Sequence, residues 1–173
     1  MPRTTSFRRL AFMLAATPLL IGSLGPRTNF NERLLAAQNR ERAMVQVPPL
    51  AWDEDLAKGA AQWAKHLSRT GRFEHSPDAP GAEPQGENIW GGTPGYYLPE
   101  NMVGLWAAEK RAFAPGIFPY ASRTRRVEDV SHYTQLIWRR TTHVGCATSA
   151  AGAEEILVCR YRTAGNVIGE EIL

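Results

Sequence analysis

Apolar residues recur at helical spacing early in the chain. Between Asp53 and Gly71, the residues Leu56, Ala60, Trp63, Ala64 and Leu67 follow i, i+4, i+7, i+8, i+11, the stripe of an amphipathic helix. Asp53 stands where an N-cap belongs and Gly71 where the helix must stop. An earlier helix is expected over residues 29–45, with Phe30, Leu34, Ala37 and Met44 inward and Asn29 or Asn31 as cap, ended by Pro48-Pro49. A third should run from about Pro99 to Phe113, with proline in its first turn and Leu105, Trp106 and Glu109 on adjacent turns. Val130, Thr134, Ile137 and Trp138 again have helical spacing and put His132 on a short helix whose inward face is its Ile-Trp end.

Residues 71–99 are rich in Gly and Pro and read as loop, interrupted by two polar and aromatic islands, Phe73-Glu74-His75-Ser76 and Gly86-Glu87-Asn88-Ile89-Trp90. A second loop is expected over 114–126. Residues 144–149 and 156–162 read as two strands, and 165–169 as an edge strand. Helices precede strands in a single domain, so the class is α+β.

Two cysteines, Cys146 and Cys159, fall in the two strands. A two-residue turn at Gly152-Ala153 sets them directly opposite, at a non-hydrogen-bonded pair where the chains approach most closely and a disulfide can be spanned. Two buried free thiols are the alternative.

Composition is that of a globular protein, with 43% hydrophobic and 21% charged residues. Of 20 Lys and Arg against 17 Asp and Glu, Arg3, Arg8 and Arg9 belong to the first 25 residues, which carry no acid. Residues 1–25 read as a signal peptide: arginines, an apolar run from Leu10 to Leu24, then small residues. The run is shorter than the ~20 residues a membrane span needs, so the expected product is a secreted or periplasmic protein without a stable span after processing. With the leader gone, charges balance and no basic aromatic surface motif remains, which argues against a nucleic-acid partner.

The ionisable side chains that could carry chemistry are His75, Glu87, Glu109, His132 and His143. HExxH, GxSxG, paired CxxC and phosphate-loop patterns are absent, so any site must be assembled from distant segments. Singly, each has an ordinary explanation: His75 could bond a loop carbonyl, Glu109 could pair with Lys110 or Arg111, and His143 suits a strand edge.

Together they resemble a known family. His132-Tyr133-Thr134-Gln135-Leu136-Ile137-Trp138 is similar to the signature of the CAP superfamily (cysteine-rich secretory proteins, antigen 5, pathogenesis-related 1; SCP-like extracellular proteins). Phe73-Glu74-His75-Ser76 resembles its first histidine motif, Gly86-Glu87-Asn88 its GEN motif, and Trp106-Ala107-Ala108-Glu109 its WxxE helix. Val144-Gly145-Cys146 and Cys159-Arg160-Tyr161 resemble its closing strands. One departure is Ser131, where many relatives have glycine.

The resemblance implies a CAP domain over residues 28–173, built as a three-layer α-β-α sandwich around an antiparallel sheet. It also implies a cavity holding His75, Glu87, Glu109 and His132, with Tyr133 and Gln135 beside them. The two imidazoles could bind zinc or another divalent cation, with the carboxylates orienting them. Two functions follow. One is binding of a small apolar ligand such as a sterol or fatty acid, or of a divalent ion, with Trp90, Tyr96, Tyr97, Phe113, Phe118 and Tyr120 as lining. The other is a metal-assisted hydrolase in which Glu87 or Glu109 acts as general base.

Overall fold

The strongest apolar stripe becomes the best-defined helix of the computed structural model, which describes residues 27–77 and 80–173. The signal peptide expected at 1–25 lies outside the described residues. Helix α2 (Glu54–Thr70) begins where Asp53 Oδ1 accepts the N–H groups of Asp55 and Leu56, both at 2.9 Å. It ends where Gly71, at φ 67°, donates to the Leu67 carbonyl. Ala60, Ala64 and Leu67 bury fully against Ile89, Ile156 and Val158. A fully buried leucine contributes about 2 kcal/mol.

The surface beneath α2 is a four-stranded sheet, ordered β1-β3-β4-β2. Strands β3 (His143–Ala151) and β4 (Glu154–Arg162) form the expected hairpin about Gly152-Ala153, with Cys146 opposite Cys159. Their Cα atoms are 4.1 Å apart and the sulfurs are bonded. The close pairing position, which has no ladder hydrogen bonds between the opposed residues, makes that approach available. Thiol titration of the unfolded, unreduced protein should find no free thiol; two would contradict this fold. Gly145 lets the hairpin lie directly on α2, because a Cβ there would overlap the α2 backbone at Asp53 and Ala57.

Two strands were not expected from sequence. Strand β2 (Gly86–Gly92) forms inside the Gly- and Pro-rich stretch read as loop and pairs antiparallel with β4. Its alternation sends Ile89 to the α2 side and Trp90 to the other. Strand β1 (Ala51–Trp52) adds a two-residue parallel edge beside β3. The expected edge strand at 165–169 does not form; that tail folds back irregularly, and its neighbourhood contributes one bridge, Ile117 to Glu171. Asn166 and Gly169 have positive φ, a conformation that interrupts a ladder.

The second face of the sheet carries α1 (Phe30–Met44), α3 (Pro99–Ala107) and α4 (Ser131–Ile137), completing the α-β-α sandwich. Helix α3 is shorter than expected and tightens into a 3-10 turn over Ala108–Arg111. In α1 the inward positions include two polar residues, Gln38 and Arg42, both fully buried, whereas Met44 is 60% exposed and Asn29 makes no capping side-chain bond. Arg42 donates to the carbonyls of Pro48, Leu136, Trp138 and Thr141 at 2.6–2.9 Å. Among the described residues no helix is long and apolar enough to cross a membrane.

Candidate functional site

Helix α4 has no side chain of its own capping its first turn. Glu109 supplies that cap from the 3-10 turn after α3. Its Oε2 accepts the N–H groups of His132 and Tyr133 at 2.9 and 3.0 Å, and its Oε1 takes His132 Nδ1 at 2.6 Å. A carboxylate here satisfies orphan donors and complements the helix dipole. The same contact orients the imidazole, which lies parallel to the Trp106 indole at 6.2 Å. Glu109 thus pairs with His132; Lys110 turns away to Glu41.

A second carboxylate–imidazole pair sits at the start of β2. Glu87 Oε1 takes His75 Nδ1 at 2.8 Å and the Ser76 N–H at 3.0 Å. Glu87 is 7% exposed and His75 67%. Burial alone would push the Glu87 carboxyl up, but the bonds from His75 and Ser76 outweigh it and hold the group below its ordinary value. An ionised carboxylate only accepts, so Nδ1 carries the proton and Nε2 is the acceptor of neutral His75. The hydrogen bond to Glu87 holds the His75 pKa above its ordinary value despite partial burial.

A raised imidazole pKa gives stabilisation that is complete below the ordinary value of 6.5 and fades as pH rises through the folded value. A lowered carboxyl pKa gives stabilisation complete above 4.5 that fades as pH falls through its folded value. The pair is therefore strongest between those two ordinary values. An NMR titration should place the His75 midpoint above 6.5 and return it toward that value in Glu87→Gln. A wild-type midpoint at or below 6.5 would contradict the pairing.

The two pairs are joined through β2 and α4. Asn88 donates to the His132 carbonyl at 3.1 Å and to the Tyr161 hydroxyl at 3.4 Å. Tyr161 donates to Gln38 at 2.8 Å, and Gln38 reaches the disulfide sulfur of Cys146 at 3.6 Å. Gly86 gives Gln135 its place, since a Cβ there would overlap the Gln135 carboxamide. Beside the His75 pair lies a cavity of about 420 Å³, lined by His75, Glu87, Gln135, Arg160 and Asn166 among others.

Of the six residues expected around one cavity, His75, Glu87 and Gln135 line this one, and the His132–Glu109 pair is outside its lining. Tyr133 is buried, edge-on to Phe113 at 5.4 Å. Sequence reasoning passed over Asn88 and Arg160. Asn88 had a signal, its place within the GEN motif; Arg160 had none, because it faces Glu87 only across the β2–β4 ladder, and β2 was not legible in the sequence. His143 opens β3, half-buried, with Nδ1 against the Thr142 hydroxyl at 2.8 Å.

The aromatics expected to line an apolar groove divide. Trp90, Phe113 and Phe118 are core, and Tyr120 is 87% exposed. Tyr96 and Tyr97 border a shallow groove on α3 with Leu105.

Metal fit can be judged from the donors. Both carboxylates are turned onto ring nitrogens, and among the described residues no group of three or more His, Cys, Asp or Glu is disposed to hold a metal ion. That is short of the three protein ligands of a catalytic zinc site.

Comparison with known proteins is consistent across sequence and fold. Residues 35–161 match the family described as CAP, the cysteine-rich secretory protein family. The chain is 33% identical over 165 residues to pathogenesis-related protein 1C of Nicotiana tabacum, covering 92% of each. It is 32% identical to pathogenesis-related protein PRMS of Zea mays, covering 82% of this chain and 81% of the relative. Among solved structures it resembles NaASP2 with Zn²⁺, at a TM-score of 0.67 and 25% identity, covering 82% of this chain and 83% of that one.

Proposed function

The chain belongs to the cysteine-rich secretory protein (CAP) family, and from that premise we propose that it is an exported binding protein whose ligand site is the cavity beside His75 and Glu87. The observation that carries this reading is the cavity of about 420 Å³ itself, with the exposed His75 imidazole in its wall and that ring's Nε2 left as an acceptor by the Nδ1 bond to Glu87. A polar ligand can donate to that nitrogen while Glu87, whose second oxygen lies 3.7 Å from Arg160 Nη2 in an ion pair, holds the ring in place.

Binding is better supported than hydrolysis. Glu87 and Glu109 both hold an imidazole Nδ1 and so are engaged as orienting groups instead of general bases. The crystal structure of NaASP2 with Zn²⁺ supports metal binding in that relative. Here the donors on hand would be the Nε2 atoms of His75 and His132, and no step is built on a metal. An apolar ligand has a separate candidate place, the groove bordered by Tyr96, Tyr97 and Leu105, where Leu105 is 54% exposed.

Native mass spectrometry of protein recovered from its exporting host separates these sites. The expected spectrum contains a small non-covalent adduct that Glu87→Gln removes and Leu105→Ser leaves in place. An adduct removed only by Leu105→Ser would move the ligand to the α3 groove. A zinc adduct sensitive to His75→Ala would make the site a metal site.

A further inference from the structure

We propose that the outer face of α2 is a second binding site, separate from the His75 cavity, for a linear polysaccharide carrying one carboxylate per sugar. The side of α2 turned away from the sheet presents Lys58, Gln62, Lys65 and Arg69 at i, i+4, i+7 and i+11, a single exposed ridge. At ~1.5 Å of rise per residue it runs about 16 Å. Beyond Asp55 the helix has no acid. Lys58 pairs with Asp55 at 2.8 Å, whereas the Lys65 and Arg69 side chains have no hydrogen-bond or ion-pair partner among the described residues. Gln62, Lys65, His66, Arg69 and Thr70 border a shallow groove of about 510 Å³.

The ordinary reasons for basic residues on a helix do not cover this ridge. The helix dipole favours cations in the last turn, and only Arg69 lies there. Lateral pairing needs an acid three or four residues away; Lys65 and Arg69 instead stand at i, i+4 to each other, a like-charge pair that a helix disfavours. An anionic ligand removes that repulsion.

The arrangement also selects the ligand. Cations in a line fit a linear polyanion, and the neutral Gln62 and Thr70 beside them fit hydroxyls between its charges. A densely sulfated chain would bring more charge than two free cations offset. A lipid surface fits poorly, because α2 exposes no large apolar side chain to enter it. Single-stranded nucleic acid needs free aromatic faces, and here the half-buried Trp63 ring is stacked on His66 at 4.7 Å with its N–H on the Glu74 carbonyl.

The test is two-dimensional NMR on the folded chain with tetragalacturonate, compared with maltotetraose, oligothymidylate and phosphatidylglycerol vesicles. Saturable shifts of the Lys65, His66 and Arg69 amides and of the Gln62 side-chain amide are expected with tetragalacturonate, weakening as salt is raised. Lys65→Gln with Arg69→Gln should lower its affinity about tenfold or more, with circular dichroism unchanged because both side chains are exposed. Arg125→Gln with Arg126→Gln removes the same charge from the loop before α4 and should leave the affinity within about twofold.

Equal losses in the two double variants would reduce the effect to net charge and overturn the proposal. Equal binding of maltotetraose would overturn the role of charge, and binding of oligothymidylate or vesicles in place of tetragalacturonate would overturn the polysaccharide. Silence from every probe at tens of millimolar would remove the site.

Discussion

Arg42→Met is expected to destabilise the protein by about 4 kcal/mol, seen as a lower urea midpoint with an unchanged m value. The guanidinium is fully buried among backbone carbonyls, with no carboxylate among the partners that accept its hydrogen bonds. Four charge-assisted hydrogen bonds at about 1.5–3 kcal/mol each are lost. Burial pushes the Arg42 pKa down to about 10, and relief of that buried charge in the variant gives back on the order of 3 kcal/mol. The loss wins because methionine fills the space and leaves four carbonyls unpaired. Two of them, Leu136 and Trp138, close α4, so the variant should also loosen the His132 helix. A cost under about 1 kcal/mol would show that water replaces the guanidinium.

Glu109→Ala is the second large effect, at about 3 kcal/mol. It removes the acceptor of two N–H groups in the first turn of α4 and of the His132 ring. Glu109→Gln keeps an acceptor of the same shape and should cost about 1 kcal/mol. Separate readouts divide the roles: denaturant midpoint for the cap, and the His132 ring shifts, set by stacking on Trp106, for orientation. An unchanged His132 spectrum in Glu109→Ala would assign the glutamate to capping alone.

What the sequence made legible was local or carried by motif. The α2 stripe with Asp53 and Gly71, and the hairpin register joining Cys146 to Cys159, depend on neighbours and turn geometry. Strand β2 was hidden because Gly86, Gly91 and Gly92 read as loop, while its actual support is β4, some seventy residues away. Arg42 was hidden because periodicity counts apolar residues. Gln38 and Arg42 repeat Leu34 at i+4 and i+8, so the inward ridge of α1 is partly polar.

The candidate site was legible as four residue identities and not as an arrangement. Motifs named His75, Glu87, Glu109 and His132, but only the fold shows each glutamate committed to one imidazole. It also brings Arg160 within 3.7 Å of Glu87 as an ion pair.

The cavity beside His75 is the most direct test. A high-resolution crystal structure of protein recovered from its exporting host should show a ligand in that cavity, with Glu87 still on His75 Nδ1 and Glu109 on His132 Nδ1. A ligand confined to the groove bordered by Tyr96, Tyr97 and Leu105, over an empty His75 cavity, would contradict the account.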